Sequence, residues 1–431
     1  MTGPLSSGTW RQRIPVGTVL VLLAALPLLL LFSHRNTVTA LALIGLATLA
    51  YPGALSALRR IFRLDALLKP SPASVLLWLL ILCAYMGLSV LWSPMPERAE
   101  WAPRLAAFIL SISALVWLAI RMTAASARRA VWIFVIITLL TALFLGFEGL
   151  TGGLLRDLLP KDGIKGKDLI ASARGTGLAL YLAPVCILAL ATRPLVRNKI
   201  RWAGRHFLIA LIIIGLAIAS LLLGGVSANL LALAGGLTAA LGGYFLSRVA
   251  LSIAHFVSIG LFLFWALVAL LLPAQATLVS ADMIPTSWQM RLIAWEYSFA
   301  LLTSDFLTFL FGGGIGFSRF LYETGPTVQL AVAPYTFHVM PTHPHNLFIQ
   351  IWLEFGLTGV VLVVAAITRL FRYLAGLAFN RMETASLCAL IAVSIVYASV
   401  ETNLWTVWRF STLGFAIFGL LLIRRLARLE S

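Results

Sequence analysis

The sequence predicts an all-α, polytopic membrane protein of about twelve transmembrane helices. Three observations predict it. First, the 431 residues are 61% hydrophobic and 11% charged, with a mean hydropathy of +0.99. A water-soluble domain carries about 25% charged residues, so a soluble enzyme is excluded, and so is a disordered chain, which needs low hydrophobicity. Second, twelve apolar stretches approach the ~20 residues that a helix needs to cross a bilayer. Third, the Lys and Arg between those stretches alternate in density from one connection to the next, as topology requires.

The stretches are 14–32, 37–57, 73–92, 102–120, 131–150, 175–191, 206–223, 226–246, 251–272, 346–367, 383–400 and 405–423. The first follows Arg11 and Arg13 and precedes Ser33, His34 and Arg35, with no small-x-small cleavage pattern. It reads as a retained span rather than a signal peptide. A hairpin at Gly224–Ser227 separates the seventh and eighth. With the N-terminus in the cytoplasm, the clusters Arg59/Arg60/Arg63/Lys69, Arg193/Arg197/Lys199/Arg201/Arg205 and Arg424/Arg425/Arg428 all fall inside. Both termini are then cytoplasmic, the net charge of +17 is mostly a topology signal, and nucleic acid drops out as a partner. Cys83, Cys186 and Cys388 lie in apolar stretches, as small buried hydrophobes without a disulfide framework. The chain divides into residues 1–272 with nine spans, a large external loop over 273–345, and residues 346–431 with three spans.

Two external segments are long, 151–174 and 273–345. A loop as long as the second is usually functional. It contains short helices: Ser287 to Trp295 has helical periodicity, with Trp288, Leu292 and Trp295 on one face, which suits a helix at the membrane interface. Phe311 to Phe317, with Gly312, Gly313, Gly314 and Gly316, predicts a tight turn. Pro341-Thr342-His343-Pro344-His345-Asn346 leads into the tenth span. A transporter concentrates acids and broken helices near the midplane. Here the chemically versatile residues crowd the external rim, which points to work on a lipid-linked substrate at the outer face.

His345-Asn346, nine residues, then Gly356-Leu357-Thr358-Gly359 resembles the signature of the O-antigen ligase and O-antigen polymerase superfamily. Arg291 to Trp295, with the glycine turn 312–316, is similar to that family's Arg-xxx-Trp and Gly-rich loop. Arg174-Gly175-Thr176-Gly177 resembles its other arginine position. One departure stands out: Ser227-Ala228-Asn229 occurs where members often carry Ser-Arg-Gly, so a phosphate-binding arginine is missing at Ala228. The resemblance implies a GT-C-like helical fold and inverting glycosyl transfer at the periplasmic face of the bacterial inner membrane, with no metal and no cofactor. The donor it implies is an undecaprenyl-pyrophosphate-linked glycan. The acceptor is lipid A–core for a ligase, the expected activity, or another lipid-linked glycan for an O-antigen or exopolysaccharide polymerase. A polyprenol-linked lipid flippase is the alternative from another class. It would need charges through the depth of the bundle. Membrane lipids surround the protein in every case.

The chemistry assigns roles. A departing pyrophosphate develops negative charge, and arginine's planar, permanently charged fork matches phosphate oxygens. Arg174, at the start of the sixth span with a favourable helix dipole, and Arg291, on the loop helix, are expected to hold it. His345, with an ordinary pKa of about 6.5, is the candidate base, or the group that positions the acceptor. The two arginines would push it toward its neutral form. His343, Asn346, Trp295, Glu354 and Arg319 are candidate supports. His343 lies beyond a proline, so its imidazole is not expected to point where that of His345 points. Glu354, deep in the tenth span, is expected to hydrogen-bond within the bundle. Arg35 and Arg409 read first as external-side basic residues. His343 and His345 lack a third convergent ligand for a metal site.

Overall fold

The computed structural model describes residues 10–61, 70–157, 165–192, 202–223, 227–271, 285–329 and 336–429. The helices are α1 (Trp10–Phe32), α2 (Thr37–Leu49), α3 (Ala54–Ile61), α4 (Pro72–Leu88), α5 (Trp101–Ala119), α6 (Ala124–Thr151), α7 (Lys165–Ala191) and α8 (Trp202–Leu222). They continue as α9 (Ser227–Leu246), α10 (Arg248–Leu271), α11 (Thr286–Thr303), α12 (Phe306–Phe311), α13 (Phe317–Thr324), α14 (Leu347–Ala375), α15 (Arg381–Val400) and α16 (Ser411–Leu429). One antiparallel ribbon pairs β1 (Thr327–Gln329) with β2 (Thr336–His338).

Eleven helices among the described residues are long and apolar enough to cross a membrane. The chain is an all-α, multi-pass membrane protein, as its composition predicts. Large apolar side chains such as Leu46, Leu221, Phe245, Phe256 and Leu271 are exposed. In water they would form a sticky surface, whereas in a bilayer they face acyl chains. Helix association in lipid relies on close backbone approach at small residues. A Cβ on Gly215 would lie 2.6 Å from the Ala142 carbonyl oxygen, which seats α8 on α6. One on Gly175 would lie 2.0 Å from the Leu30 carbonyl oxygen, which seats α7 on α1.

Three expected elements differ. The 37–57 stretch is not one span: α2 has 13 residues and ends before Pro52 and Gly53, where Gly53 has a φ of 85°. Proline lacks the amide a continuing helix would need, so the chain turns and restarts as α3. The last span, expected from 405, runs Val407–Leu429, but opens as a 3₁₀ turn over Val407–Phe410 before its α-helix begins at Ser411. The sixth span, Ser172–Ala191, sits in a helix that starts earlier, at Lys165. Arg174 therefore lies well inside α7, and the dipole expected to favour an anion beside it belongs to residues nearer Lys165. The Gly224–Ser227 hairpin lies largely outside the described residues.

The tenth apolar stretch is interrupted. Gly356 in α14 has φ 59° and ψ −161°, outside the helical range. The predicted glycine turn docks into that interruption. The Gly313 and Gly314 amides donate to the carbonyls of Leu353 and Glu354, both at 2.9 Å. The Tyr85 hydroxyl reaches the carbonyls of Phe311 and Phe355, 3.1 Å each. A Cβ on Gly356 would lie 2.5 Å from the Gly312 amide nitrogen, and Gly312 itself has a φ of 72°. Only glycine combines that conformation with that approach.

Candidate active site

The loop from Pro341 to Asn346 delivers two histidines to the N-terminal end of α14. Asn346 is the N-cap: its Oδ1 accepts from the Ile349 amide at 3.1 Å. Just before it, His345 has a φ of 53°. This left-handed conformation costs a non-glycine residue about 1–3 kcal/mol and persists where its surroundings enforce it. Part of the enforcement is visible. The buried indole of Trp295 in α11 donates to the Pro344 carbonyl at 2.7 Å. The His345 amide donates to Nδ1 of His343 at 3.1 Å. The two imidazoles are neighbours, with ring centroids 4.1 Å apart and planes tilted by 43°. The positive φ folds the chain back past the proline and brings them together.

The arginines come from separate elements and meet on one carboxylate. Glu401, at the end of α15, lies 3.6 Å from Nη2 of Arg291 through Oε2 and 2.5 Å from Nη2 of Arg409 through Oε1. All three side chains are largely buried. Arg291 also lies over the Trp288 ring, and Arg409 and Arg174 share the ring of Trp408. The charges acting on Arg174 are Arg409, Arg35 and Glu401. Arg174, Gly177, Tyr181, Tyr397, Trp408 and Arg409 line one narrow crevice. Arg174 and Arg291, both selected from sequence, are thus linked through Arg409 and Glu401.

This setting fixes the histidines in their neutral form. Burial, then the positive charges of Arg291 and Arg409, push the His345 pKa down to about 4. Burial and the same arginines, with His345, hold His343 well below the ordinary histidine value. His345 Nδ1, Asn346 Nδ2 and Arg291 Nε are buried and make no hydrogen bond. Such a group costs about 1–3 kcal/mol, and unsatisfied groups often mark a working site. Chemically, the rim offers a neutral imidazole able to accept a proton beside guanidinium groups able to hold phosphate oxygens.

The remaining candidates divide. Glu354 is fully buried. It accepts from the Gly316 amide (3.1 Å), Ser318 Oγ (2.5 Å), Gln350 Nε2 (2.9 Å) and Trp405 Nε1 (3.0 Å). The expected hydrogen-bonding role is what its geometry displays. Arg319 pairs with Glu323 at 2.7 Å and lies over Tyr322, and those partners belong to its own helix α13. It does not join the Glu401 cluster. At the position where the arginine is missing, Ala228 is buried and Asn229 bridges helices: its Nδ2 donates to the Ala173 carbonyl, and its Oδ1 accepts from Tyr397. Sequence reasoning gave too little weight to Arg409 and Glu401. The signal was available in an acid and a base flanking a Trp- and Thr-rich connection between two apolar spans.

No family model matches the chain. Its similarity to known proteins is partial. A protein of Rickettsia prowazekii (strain Madrid E) named "Putative polysaccharide ligase" is 25% identical over 118 residues, 27% of this chain and 28% of that protein. A Rickettsia conorii protein (strain ATCC VR-613 / Malish 7) of the same description is 24% identical over 119 residues, 28% of each. One from Rickettsia felis (strain ATCC VR-1525 / URRWXCal2) is 24% identical over 138 residues, 32% of each. The aligned part of this chain spans less than a third of the length of each of these relatives, and the likeness is to proteins named as polysaccharide ligases.

Proposed function

We propose that this protein is a glycan ligase of the membrane. It transfers a glycan from a polyprenyl-pyrophosphate carrier to a lipid-anchored acceptor, with inversion at the anomeric carbon. The carrier is undecaprenyl pyrophosphate and the acceptor lipid A–core. The reaction takes place at the periplasmic rim of the inner membrane, with both chain ends in the cytoplasm. The observation that carries this reading is the gathering of neutral His345 with Arg291, Arg409 and, through Trp408, Arg174 around Glu401. The resemblance to polysaccharide ligases supports it.

The step breaks the bond between the anomeric carbon and the pyrophosphate oxygen. It forms a bond from that carbon to an acceptor hydroxyl oxygen. Arg174, Arg291 and Arg409 hold the pyrophosphate as its charge grows. Arg409 takes the place of the arginine absent at Ala228. His345 receives the hydroxyl proton in the transition state or holds the hydroxyl in line for attack. Bound pyrophosphate offsets the guanidinium charges and restores basicity to the imidazole, so the base strengthens only when the donor is seated. Residues 1–272 and 346–431 carry the membrane helices, and residues 273–345 form the large periplasmic loop.

The test is transfer by the purified protein in lipid nanodiscs, with lipid-linked glycan, lipid A–core and EDTA. The expected product is glycosylated lipid A–core of inverted configuration, and His345→Ala removes it. Product only on a second lipid-linked glycan would make the protein a polymerase. Lipid movement across vesicles without a new glycosidic bond would make it a flippase.

A further inference from the structure

We infer that Glu354 is the positioning residue that sets the register between the His345 loop and the Arg409 segment. The inference rests on the glycan-transfer reading for its kinetic consequence, but not for its structural one.

Glu354 is an acid placed fully inside a membrane helix, where a charge is costly unless well partnered. Its partners come from three places. Gly316 and Ser318 belong to the glycine turn and the start of α13. Gln350 lies one turn earlier on α14. Trp405 lies in the 401–410 connection that carries Glu401 and Arg409. Three of the four, the Gly316 amide, the Gln350 amide group and the Trp405 indole, face it only as donors. That set complements an ionised carboxylate, which only accepts. Gln350 doubles the tie, since its Oε1 accepts from the Leu404 amide at 2.9 Å. The connection bearing Arg409 is therefore fastened at two successive residues to the first two turns of α14. That same stretch of helix begins at the Asn346 cap, directly after His345. Arg174 and Arg291 stand on α7 and α11, neither of which Glu354 touches through a hydrogen bond. The carboxylate thus acts directly on the geometry of histidine against Arg409, and reaches Arg291 and Arg174 only through Glu401 and Trp408 on the same connection.

Glutamine is the informative replacement. It keeps the shape but turns one oxygen into an NH₂ group. Oε1 faces Ser318 and Gln350, and Oε2 faces Gly316 and Trp405, so either orientation of the amide sets a donor against a donor. The 401–410 connection then loosens from α14. The groups facing His345 are His343 on its own loop, Arg291 on α11, and Arg409, itself tied to Glu401. Movement of Arg409 removes one of the charges that keep the imidazole neutral.

The experiment is histidine-labelled NMR of the full-length protein in detergent micelles, with the His345 signal assigned through His345→Gln. Transfer kinetics are run in parallel. For Glu354→Gln, the His345 titration midpoint should rise by about one unit toward the ordinary value. The kcat should fall at least tenfold, with KM for the lipid-linked donor within about threefold of normal. Trp405→Phe keeps a ring against Trp101 and Phe355 and deletes one donor, and it should shift both readouts in the same direction by a smaller amount. It also decides the question if Glu354→Gln does not fold. An unchanged midpoint in a folded variant overturns the inference. A shifted midpoint in a protein whose wild type transfers no glycan sustains it while sinking the proposed function.

Discussion

The arginines at the two ends of the helical bundle are chemically identical and structurally opposite. Away from the His345 rim, Arg425 donates to the carbonyl of Ala119 at 3.1 Å, and Arg424 donates to that of Ala378 at 2.7 Å while covering the ring of Phe379. These carbonyls stand at or just beyond helix C-termini, where a cation satisfies an orphan acceptor and the negative end of the dipole. At the His345 rim, Arg291 and Arg409 converge on one carboxylate, and Arg174 joins through a shared indole. Counting basic residues locates sides of a membrane. It does not separate a helix cap from a cluster gathered at one site. Convergence from distant elements does.

The contrast can be broken by substitution. On the proposed function, the largest effect belongs to the imidazole beside the cluster: His345→Ala should lower transfer by at least a thousandfold, measured with lipid-linked donor in nanodiscs, while the protein elutes normally by size exclusion. Arg409→Ala should lower kcat/KM about a hundredfold, and Arg409→Lys should recover only part of it, because an ammonium lacks the planar fork. A pH profile sharpens the picture further. With His345 held down at about 4 in the free protein, its basic form is fully present at neutral pH and is lost as pH falls through about 4. The kcat/KM should therefore stay level from mildly acidic to neutral pH. The kcat profile should break at a higher pH, because bound pyrophosphate counters the arginines. A break of kcat/KM near 6.5 would separate the histidine from the guanidinium cluster. The smallest effect lies at the other end: Arg425→Ala should cost about 0.5–1 kcal/mol of stability, seen by thermal unfolding, with transfer unchanged. Equal damage to transfer by Arg425→Ala and Arg409→Ala would erase the distinction between the two ends.

The long apolar helices were legible because burial in lipid demands continuous hydrophobicity, which composition records directly. The helix containing Trp288 and Trp295 and the glycine turn were legible from period and residue type. The His345 string, Arg174 and Arg291 were legible through their resemblance to the motifs of the O-antigen ligase and polymerase superfamily. The 37–57 stretch misled because hydropathy averages over Pro52 and Gly53, whose effect is on backbone geometry. The start of α7 at Lys165 was hidden for the opposite reason: charged residues continue a helix without continuing an apolar run. The neighbouring imidazoles depend on the left-handed backbone of His345, which no local pattern announces. Arg409 and Glu401 lie eight residues apart in a connection without regular period. Their pairing depends on how α14, α15 and α16 pack, which is tertiary information.

The docking of the glycine turn into α14 uses amide hydrogens and carbonyl oxygens. Such bonds are indifferent to side-chain chemistry and ask only that side chains be absent where two backbones touch. Related chains could exchange most residues around this joint without disturbing it. Those at Gly312 and Gly356 could not change, since a single added methyl group would pry the turn from the helix. A deep mutational scan would record the joint as two intolerant points in a permissive neighbourhood.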